Sequence, residues 1–114
     1  MVDVVTEIEI KSPQAKVAEF ASNPDNAPKW YNNIKSVVWK TERPVHLGSK
    51  IAFVAHFLGK KLEYIYEVVE YIPGEKLVMQ TVQGPFPMQT IYTWKQGKED
   101  NSTIMTLRDR KSVV

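Results

Sequence analysis

Apolar and polar residues alternate with a period of two along most of the chain, a pattern typical of β-strands with one face in water. The alternation is clearest from Leu62 to Val69 and from Leu77 to Val82. Proline, glycine and polar residues separate the runs from one another. The predicted strands are 4–10, 34–43, 51–58, 62–69, 77–82, 88–95 and 104–108.

The segment between the first two strands lacks this alternation and predicts two short helices. Ser12 is a favourable N-cap residue, and the proline after it suits a first helical turn, so we predict a helix over Pro13–Ala21. A second break precedes a helix predicted over about Asn26–Asn32, which carries Trp30 and Tyr31.

The connections after the second strand are short and rich in turn residues, as at Gly59-Lys60, Pro73-Gly74 and Gly84-Pro85. Short connections require antiparallel neighbours, because a parallel pair needs a long crossover. We therefore predict a six-stranded meander, with the first strand added at one edge. The fold class is α+β, with a curved antiparallel sheet of seven strands.

One face of this sheet is unusually rich in aromatic and methionine side chains. Alternate residues of a strand share a face, and we call the assignment of residues to faces on this basis their parity. The residues that parity assigns to this face are Phe53, Phe57, Tyr64, Tyr66, Met79, Met88, Tyr92 and Trp94. Two short helices are too small to cover a whole sheet, and an apolar face of that size is rarely left in water. We expect this face to be largely uncovered in the chain as it stands, and we expect the chain to be poorly soluble or to dimerise through it.

The last six residues of the chain have two possible origins, a natural basic tail and a sequencing artefact, and we favour the artefact. A common short-read sequencing adapter, translated in one frame, encodes the same residues as Asp109 to Val114. We therefore expect residues 109–114 to be a non-native tail, and residues 1–108 to be one incomplete domain. Sequencing the source gene past the codon for Arg108 tests this expectation.

The composition of the chain excludes several classes of protein. The chain of 114 residues has 43% apolar and 25% charged residues, which are ordinary globular values. It has no cysteine, which excludes a disulfide framework, a thiolate metal site and a cysteine nucleophile. The formal charge of +2 is too small and too evenly spread to favour nucleic acid as a partner. We find no apolar run long enough for a membrane span and no signal peptide, so we expect a cytoplasmic protein without metal or cofactor.

Several segments resemble the SRPBCC superfamily of helix-grip proteins, which includes START lipid-transfer domains, pollen-allergen-like proteins, polyketide cyclase/dehydrases and Hsp90-activator relatives. The segments are Ser12–Phe20, Asn23–Trp30, Gly48–Lys50 and Tyr66–Leu77. The small bacterial polyketide cyclase-like members are the most similar. The resemblance implies a long C-terminal helix that lies across the sheet and completes a cavity, and this sequence lacks it.

The resemblance also implies that the aromatic face and one residue of the second helix line a cavity for a hydrophobic ligand. The expected ligand-binding residues are Tyr31, Phe53, Phe57, Tyr64, Tyr66, Met79, Thr81, Met88, Thr90, Tyr92 and Trp94. The alternative for each of them is ordinary core under a helix. The tyrosines and threonines favour a cavity lining, because buried hydroxyl groups need hydrogen-bond partners. We expect Trp30 to anchor its helix instead.

No catalytic constellation is visible, and we name no catalytic residue. By parity, His56 lies on the face away from the cavity, and Glu70 lies on the cavity face near the end of its strand. His46 falls in a loop and is expected in solvent. Arg108 is a candidate partner for an anionic ligand group, although its parity is ambiguous.

Three functions remain open. The first is binding or transport of a hydrophobic small molecule, a lipid or a polyketide-like compound, in a cavity between the sheet and a C-terminal helix. The second is an enzyme of the polyketide cyclase/dehydrase type, which works mainly by positioning a reactive chain in a water-poor pocket. The third, less favoured, is a protein-interaction module like the Hsp90-activator relatives.

Overall fold

A computed structural model describes residues 2–31, 34–84 and 87–111 of the chain. The strands are β1 (Val2–Ile10), β2 (Ile34–Trp39), β3 (Lys50–Phe57), β4 (Lys60–Ile72), β5 (Lys76–Gln83), β6 (Met88–Gln96) and β7 (Thr103–Lys111). Two helices, α1 (Gln14–Ser22) and α2 (Ala27–Trp30), lie between β1 and β2, joined by a 3-10 turn over Pro24–Asn26.

The seven strands form one antiparallel sheet in the order β1-β7-β6-β5-β4-β3-β2. This order confirms the predicted meander, with β1 added at its edge beside the last strand. Both helices pack on one face, which we call the inner face. Its residues alternate with those of the opposite, outer face, so Trp94 pairs with Met105 on the inner face and Ile91 pairs with Arg108 on the outer face.

The last strand is longer than the sequence predicts. β7 continues past Arg108 to Lys111, because its pairing with both neighbours continues: Asp109 lies opposite Val4 of β1 and opposite Thr90 of β6. Residues 109–111 are therefore strand residues in this chain, and their origin stays a prediction. Residues 112–114 lie outside the described residues.

The first helix begins differently from the prediction. Ser12 does not cap it: the N-cap residue is Pro13, whose carbonyl accepts the N–H groups of Lys16 and Val17. Gln14 fixes the start of α1 to the sheet, because its side-chain amide donates to the carbonyls of Gly74 and Trp94 at 2.9 and 3.0 Å. A long-range side-chain bond thus anchors the start of α1, where the sequence pattern predicts a local cap.

The second helix is shorter than predicted and ends at Trp30. Tyr31 donates its backbone N–H to Ala27 and then turns into an extended conformation. Asn32, the predicted end of this helix, lies outside the described residues. The extended backbone after Trp30 directs the chain towards β2.

A β-bulge in β4 overturns the predicted position of one carboxylate. Val68 lies opposite Met79, but Glu70 lies opposite Val78, so Val69 is an extra residue on the β4 side. The extra residue inverts the parity, and Glu70 lies exposed on the outer face, where it pairs with Lys76 at 3.3 Å. The parity argument placed Glu70 on the inner face because it assumed an uninterrupted strand.

Two boundaries around β3 also differ from the prediction. The β3–β4 hairpin turns at Leu58-Gly59 instead of Gly59-Lys60, and both turn residues have positive φ, 52° and 76°. β2 ends at Trp39 and not near Arg43, because the following residues form a loop. That loop is held by Asp25, whose carboxylate accepts from Trp39 Nε1 at 2.8 Å and from Arg43 Nε at 2.9 Å.

The core lies between the inner face and the two helices. Its centre is formed by α1 residues Val17 and Ala18 against sheet residues such as Leu77, Trp94 and Met105, all of them buried. The inner face is therefore less open than predicted: short as they are, the helices cover the central strands. The face stays uncovered along β1, where Ile8 is 51% exposed.

Candidate functional site

An apolar groove runs along the uncovered edge of the inner face, between α1 and strands β1 and β7. Its volume is about 540 Å³. We call it the apolar groove, and its lining residues are Thr6, Ile8, Ile10, Ser12, Lys16, Val17, Phe20, Ala21, Trp30, Met105 and Leu107. Alternate residues of the paired strands β1 and β7 form one wall of the groove. Ile8 lies opposite Met105, and Thr6 lies opposite Leu107.

A second, more polar cavity of about 190 Å³ lies further along the same face. We call it the tyrosine cavity, and its lining residues are Tyr31, Ile34, Phe53, Ala55, Tyr64, Tyr66, Met79, Met88, Thr90, Tyr92, Asp109 and Lys111. It adjoins the groove, because Leu107 and Asp109 are successive inner-face residues of β7 and Trp30 stacks on Tyr31 at 4.2 Å between ring centroids.

Two tyrosine hydroxyls meet in this cavity. The oxygens of Tyr31 and Tyr92 are 2.8 Å apart, and either hydroxyl is able to donate to the other. Burial raises the pKa of Tyr31 and raises that of Tyr92 well above the ordinary phenol value. Both side chains are therefore neutral at physiological pH and retain their hydrogens.

The other polar groups of the cavity form a separate cluster. The Thr90 hydroxyl donates to a carboxylate oxygen of Asp109 at 3.0 Å. The Tyr66 hydroxyl lies 3.9 Å from the Met88 sulfur, and burial raises the pKa of Tyr66 to about 12. The Tyr66 ring packs edge-on against Phe53, with centroids 5.5 Å apart. The cavity thus combines apolar walls with a few hydroxyl groups and one carboxylate.

Most of the residues predicted to bind a ligand meet in the tyrosine cavity. These are Tyr31, Phe53, Tyr64, Tyr66, Met79, Met88, Thr90 and Tyr92. They come from the end of α2 and from four neighbouring strands, so only the folded sheet brings them together. Their role as ligand-binding residues stays a prediction.

Two predicted residues, Trp94 and Thr81, do not line the tyrosine cavity. Trp94 is 3% exposed and belongs to the core under α1, where its indole N–H has no hydrogen-bond partner among the described residues. Thr81 uses its hydroxyl to accept the backbone N–H of Met88 at 2.9 Å, which ties β5 to β6. The Phe57 side chain lies outside the described part of the structure.

The remaining candidates lie away from these cavities. His56 is exposed on the outer face, as predicted. His46 is exposed too, and its Nδ1 atom lies 2.8 Å from the Pro44 carbonyl oxygen. Arg108 points outward and forms a two-bond ion pair with Asp3, at 2.9 and 2.6 Å, so it does not face a ligand in either cavity. Among the described residues, no group of three acidic or histidine side chains is placed to hold a metal ion.

The apolar groove was not predicted from the sequence. The predicted aromatic face covered β3 through β6 and left out Ile8, Met105 and Leu107 at the sheet edge. A signal was present: these residues alternate in phase within β1 and β7, and the pairing of the first and last strands places them beside Trp94 and Tyr92. Extending the same alternation to the first and last strands would have found them, although which edge the first strand joins was not predicted.

Comparison with known families identifies the class of protein that this fold and these cavities define. A sequence profile described as polyketide cyclase/dehydrase and lipid transport matches residues 1–110. The chain therefore belongs to this family, which confirms the predicted SRPBCC relationship. Curated protein sequences include no match to the chain.

Solved structures share the fold at low sequence identity. A START superfamily protein from Mycobacterium smegmatis superposes with a TM-score of 0.83 at 14% identity, covering 98% of this chain and 77% of that one. A protein from Thermus thermophilus gives 0.83 at 16% identity, with 99% and 75% coverage. A major latex-like protein from Panax ginseng gives 0.75 at 17% identity, with 96% and 79% coverage. These likenesses confirm the α+β helix-grip-like fold.

In the part of the chain that the structure describes, no helix is both long and apolar enough to cross a membrane. The longest, α1, has nine residues.

Proposed function

We propose that this protein binds or carries a hydrophobic small molecule, a lipid or a polyketide-like compound, on the inner face of its sheet. The observation that carries the proposal is the apolar groove, because it exposes aliphatic side chains that a soluble domain ordinarily buries. A pocket with mostly apolar walls and a few polar groups at one end is the usual form of a small-molecule site. The groove and the adjoining tyrosine cavity have this character together.

A pair of serine variants in β1 tests the proposal. Ile8 lines the groove, whereas Val5 is similarly exposed, at 59% against 51%, on the opposite face of the same strand. We expect Ile8→Ser to weaken binding of the neutral fluorophore N-phenyl-1-naphthylamine roughly fivefold, because an apolar contact of about 1 kcal/mol is lost. Val5→Ser should leave the affinity unchanged.

The affinity is measured by fluorescence titration, and a thermal melt of each variant verifies that it folds. Native mass spectrometry of the gently purified protein should also show a co-purified hydrophobic compound. Equal effects of the two variants, or no binding by the parent chain, would contradict the proposal.

The tyrosine cavity favours a second candidate function, an enzyme of the polyketide cyclase/dehydrase type. Neutral phenols such as Tyr66 and Tyr92 are suited to stabilising a developing enolate oxygen by hydrogen bonding. Turnover of a poly-β-ketone thioester separates the candidates. An enzyme should lose turnover and retain binding when Tyr64, Tyr66 or Tyr92 is replaced by phenylalanine, whereas a carrier should show no turnover at all.

A further inference from the structure

The Tyr31–Tyr92 pair holds more hydrogen-bond donors than its own contact uses. Each phenol has one hydrogen, and the 2.8 Å contact between the oxygens uses one of the two. Among the described residues, neither hydroxyl has another hydrogen-bond partner. Whichever tyrosine donates, one phenolic hydrogen is left over in the tyrosine cavity.

The neighbouring groups do not take up that hydrogen. The Asp109 carboxylate accepts from Thr90, and Tyr66 directs its hydroxyl towards the Met88 sulfur. Among the described residues, no hydrogen bond joins either group to the tyrosine pair. Leaving a buried polar group without a partner costs about 1–3 kcal/mol. A ligand that places a hydrogen-bond acceptor at this point would therefore bind more tightly than a ligand of the same shape without one.

The charges around the cavity favour a neutral acceptor. Asp109 places a negative charge on the cavity wall, which disfavours a carboxylate or phosphate near the tyrosines. Lys111 lines the same cavity two residues later and is the one cationic group among the described lining residues. Neither tyrosine belongs to residues 109–114, so the donor pair is independent of the origin of that segment.

We propose that the Tyr31–Tyr92 pair selects hydrophobic ligands that carry a neutral carbonyl oxygen, which accepts the uncommitted phenolic hydrogen. The inference rests on the proposed function, because it assumes that the inner face binds a small molecule. It applies equally to a carried ketone and to a ketone that reacts.

The test compares two probes of the same shape. 2-Acetylnaphthalene has a carbonyl group where 2-isopropenylnaphthalene has a carbon–carbon double bond. We expect the ratio of their affinities, measured by calorimetric titration, to fall five- to tenfold in the Tyr31→Phe/Tyr92→Phe double variant. Tyr92→Phe alone should keep most of the ratio, because Tyr31 retains its hydrogen. Tyr71→Phe, a change outside this cavity, is the matched control and should leave the ratio of the two affinities unchanged.

A second measurement does not depend on the variants. Infrared spectra of carbonyl-labelled 2-acetylnaphthalene should show a lower C=O stretching frequency in the complex than in an apolar solvent, because the carbonyl accepts a hydrogen bond. An unshifted band overturns the inference even if the double variant fails to fold.

The other outcomes distinguish the two proposals. An unchanged probe ratio in the double variant, with both probes still bound, overturns the carbonyl inference and leaves the proposed function standing. Tighter binding of 2-naphthoate than of 2-acetylnaphthalene also overturns it, since the cavity would then select an anion. Failure of every probe to bind the parent chain contradicts the proposed function itself.

Discussion

The centre and the edge of the inner face are made by the same alternation of apolar residues but have different surroundings. In the centre, Leu77 and Trp94 lie under α1 and are almost fully buried. At the edge, Ile8 and Leu107 line a groove that no element in the described residues covers. The contrast teaches that alternation identifies the face of a sheet, whereas the placement of the helices decides which part of that face is core.

The largest expected effect is on the stability of the centre. Leu77→Ala should lower the free energy of unfolding by about 2–5 kcal/mol, because a buried side chain is replaced by a cavity. Ile8→Ala in the groove should cost about 1 kcal/mol or less, since the residue is half exposed. Urea denaturation of both variants measures the difference. Equal losses would mean that the groove is as tightly packed as the centre.

A smaller effect is expected where the two regions meet, at the tyrosine pair. Tyr31→Phe should cost about 1–3 kcal/mol, because it leaves the buried Tyr92 hydroxyl without its partner. Adding Tyr92→Phe should cost little more, since no buried hydroxyl of the pair then remains unpaired. A double-mutant cycle by chemical denaturation measures the coupling between the two changes. Additive losses would show that the 2.8 Å contact contributes nothing.

The groove also predicts the behaviour of the chain at high concentration. We propose that residues 1–114 self-associate through the exposed edge of the inner face when no ligand is present. Ile8→Glu should weaken this association at least tenfold, which is about 1.4 kcal/mol, because it places a charge in the contact. Val5→Glu on the opposite face is the control. Sedimentation velocity over a range of concentrations measures both, and a monomer throughout would refute the proposal.

The smallest effect is expected at the far edge, where Asp25 ties the helix connection to the loop after β2. The hydrogen bond from Arg43 holds the pKa of Asp25 below its ordinary value of 3.8. This pair therefore stabilises the fold above the unfolded-state pKa, and its contribution is lost as the pH falls through the lower folded-state pKa.

Asp25→Asn should cost less than about 1 kcal/mol near neutral pH, because the ion pair is exposed to solvent. The difference from the parent chain should shrink below about pH 4, where the native carboxylate becomes protonated. Thermal melts across this pH range measure it. A difference that grows on acidification would contradict the assigned direction of the pKa shift.

Periodicity and turn residues were sufficient to predict the sheet. The meander, the edge position of the first strand and the two helices all follow from local patterns, because short loops leave few ways to connect strands. The ends of the elements were less predictable. The start of α1 depends on the side chain of Gln14, which reaches carbonyls of distant residues, and no local pattern reports such a bond.

The candidate site was predictable only in part for a related reason. Parity correctly grouped the tyrosines of β4 and β6, and the structure places them around one cavity. It did not show that Trp94 lies beneath α1, or that Arg108 faces outward to Asp3. Those outcomes depend on helix placement and strand register, which the local alternation of residues does not reveal.

The bulge at Val69 gives β4 one residue more than its pairing with β5 needs. The strand consists of two stretches of opposite phase, so that Tyr66 and Val68 before the bulge and Tyr71 after it all pack against the core. Removing Val69 would leave Glu70 opposite Val78 and Tyr71 opposite Leu77, so neither side chain would change face. Removing Glu67 instead would break the alternation between Tyr66 and Val68, in a stretch that also pairs with β3. We therefore expect the protein to tolerate the loss of Val69 far better than the loss of Glu67, a difference that scanning by point mutation alone would not detect.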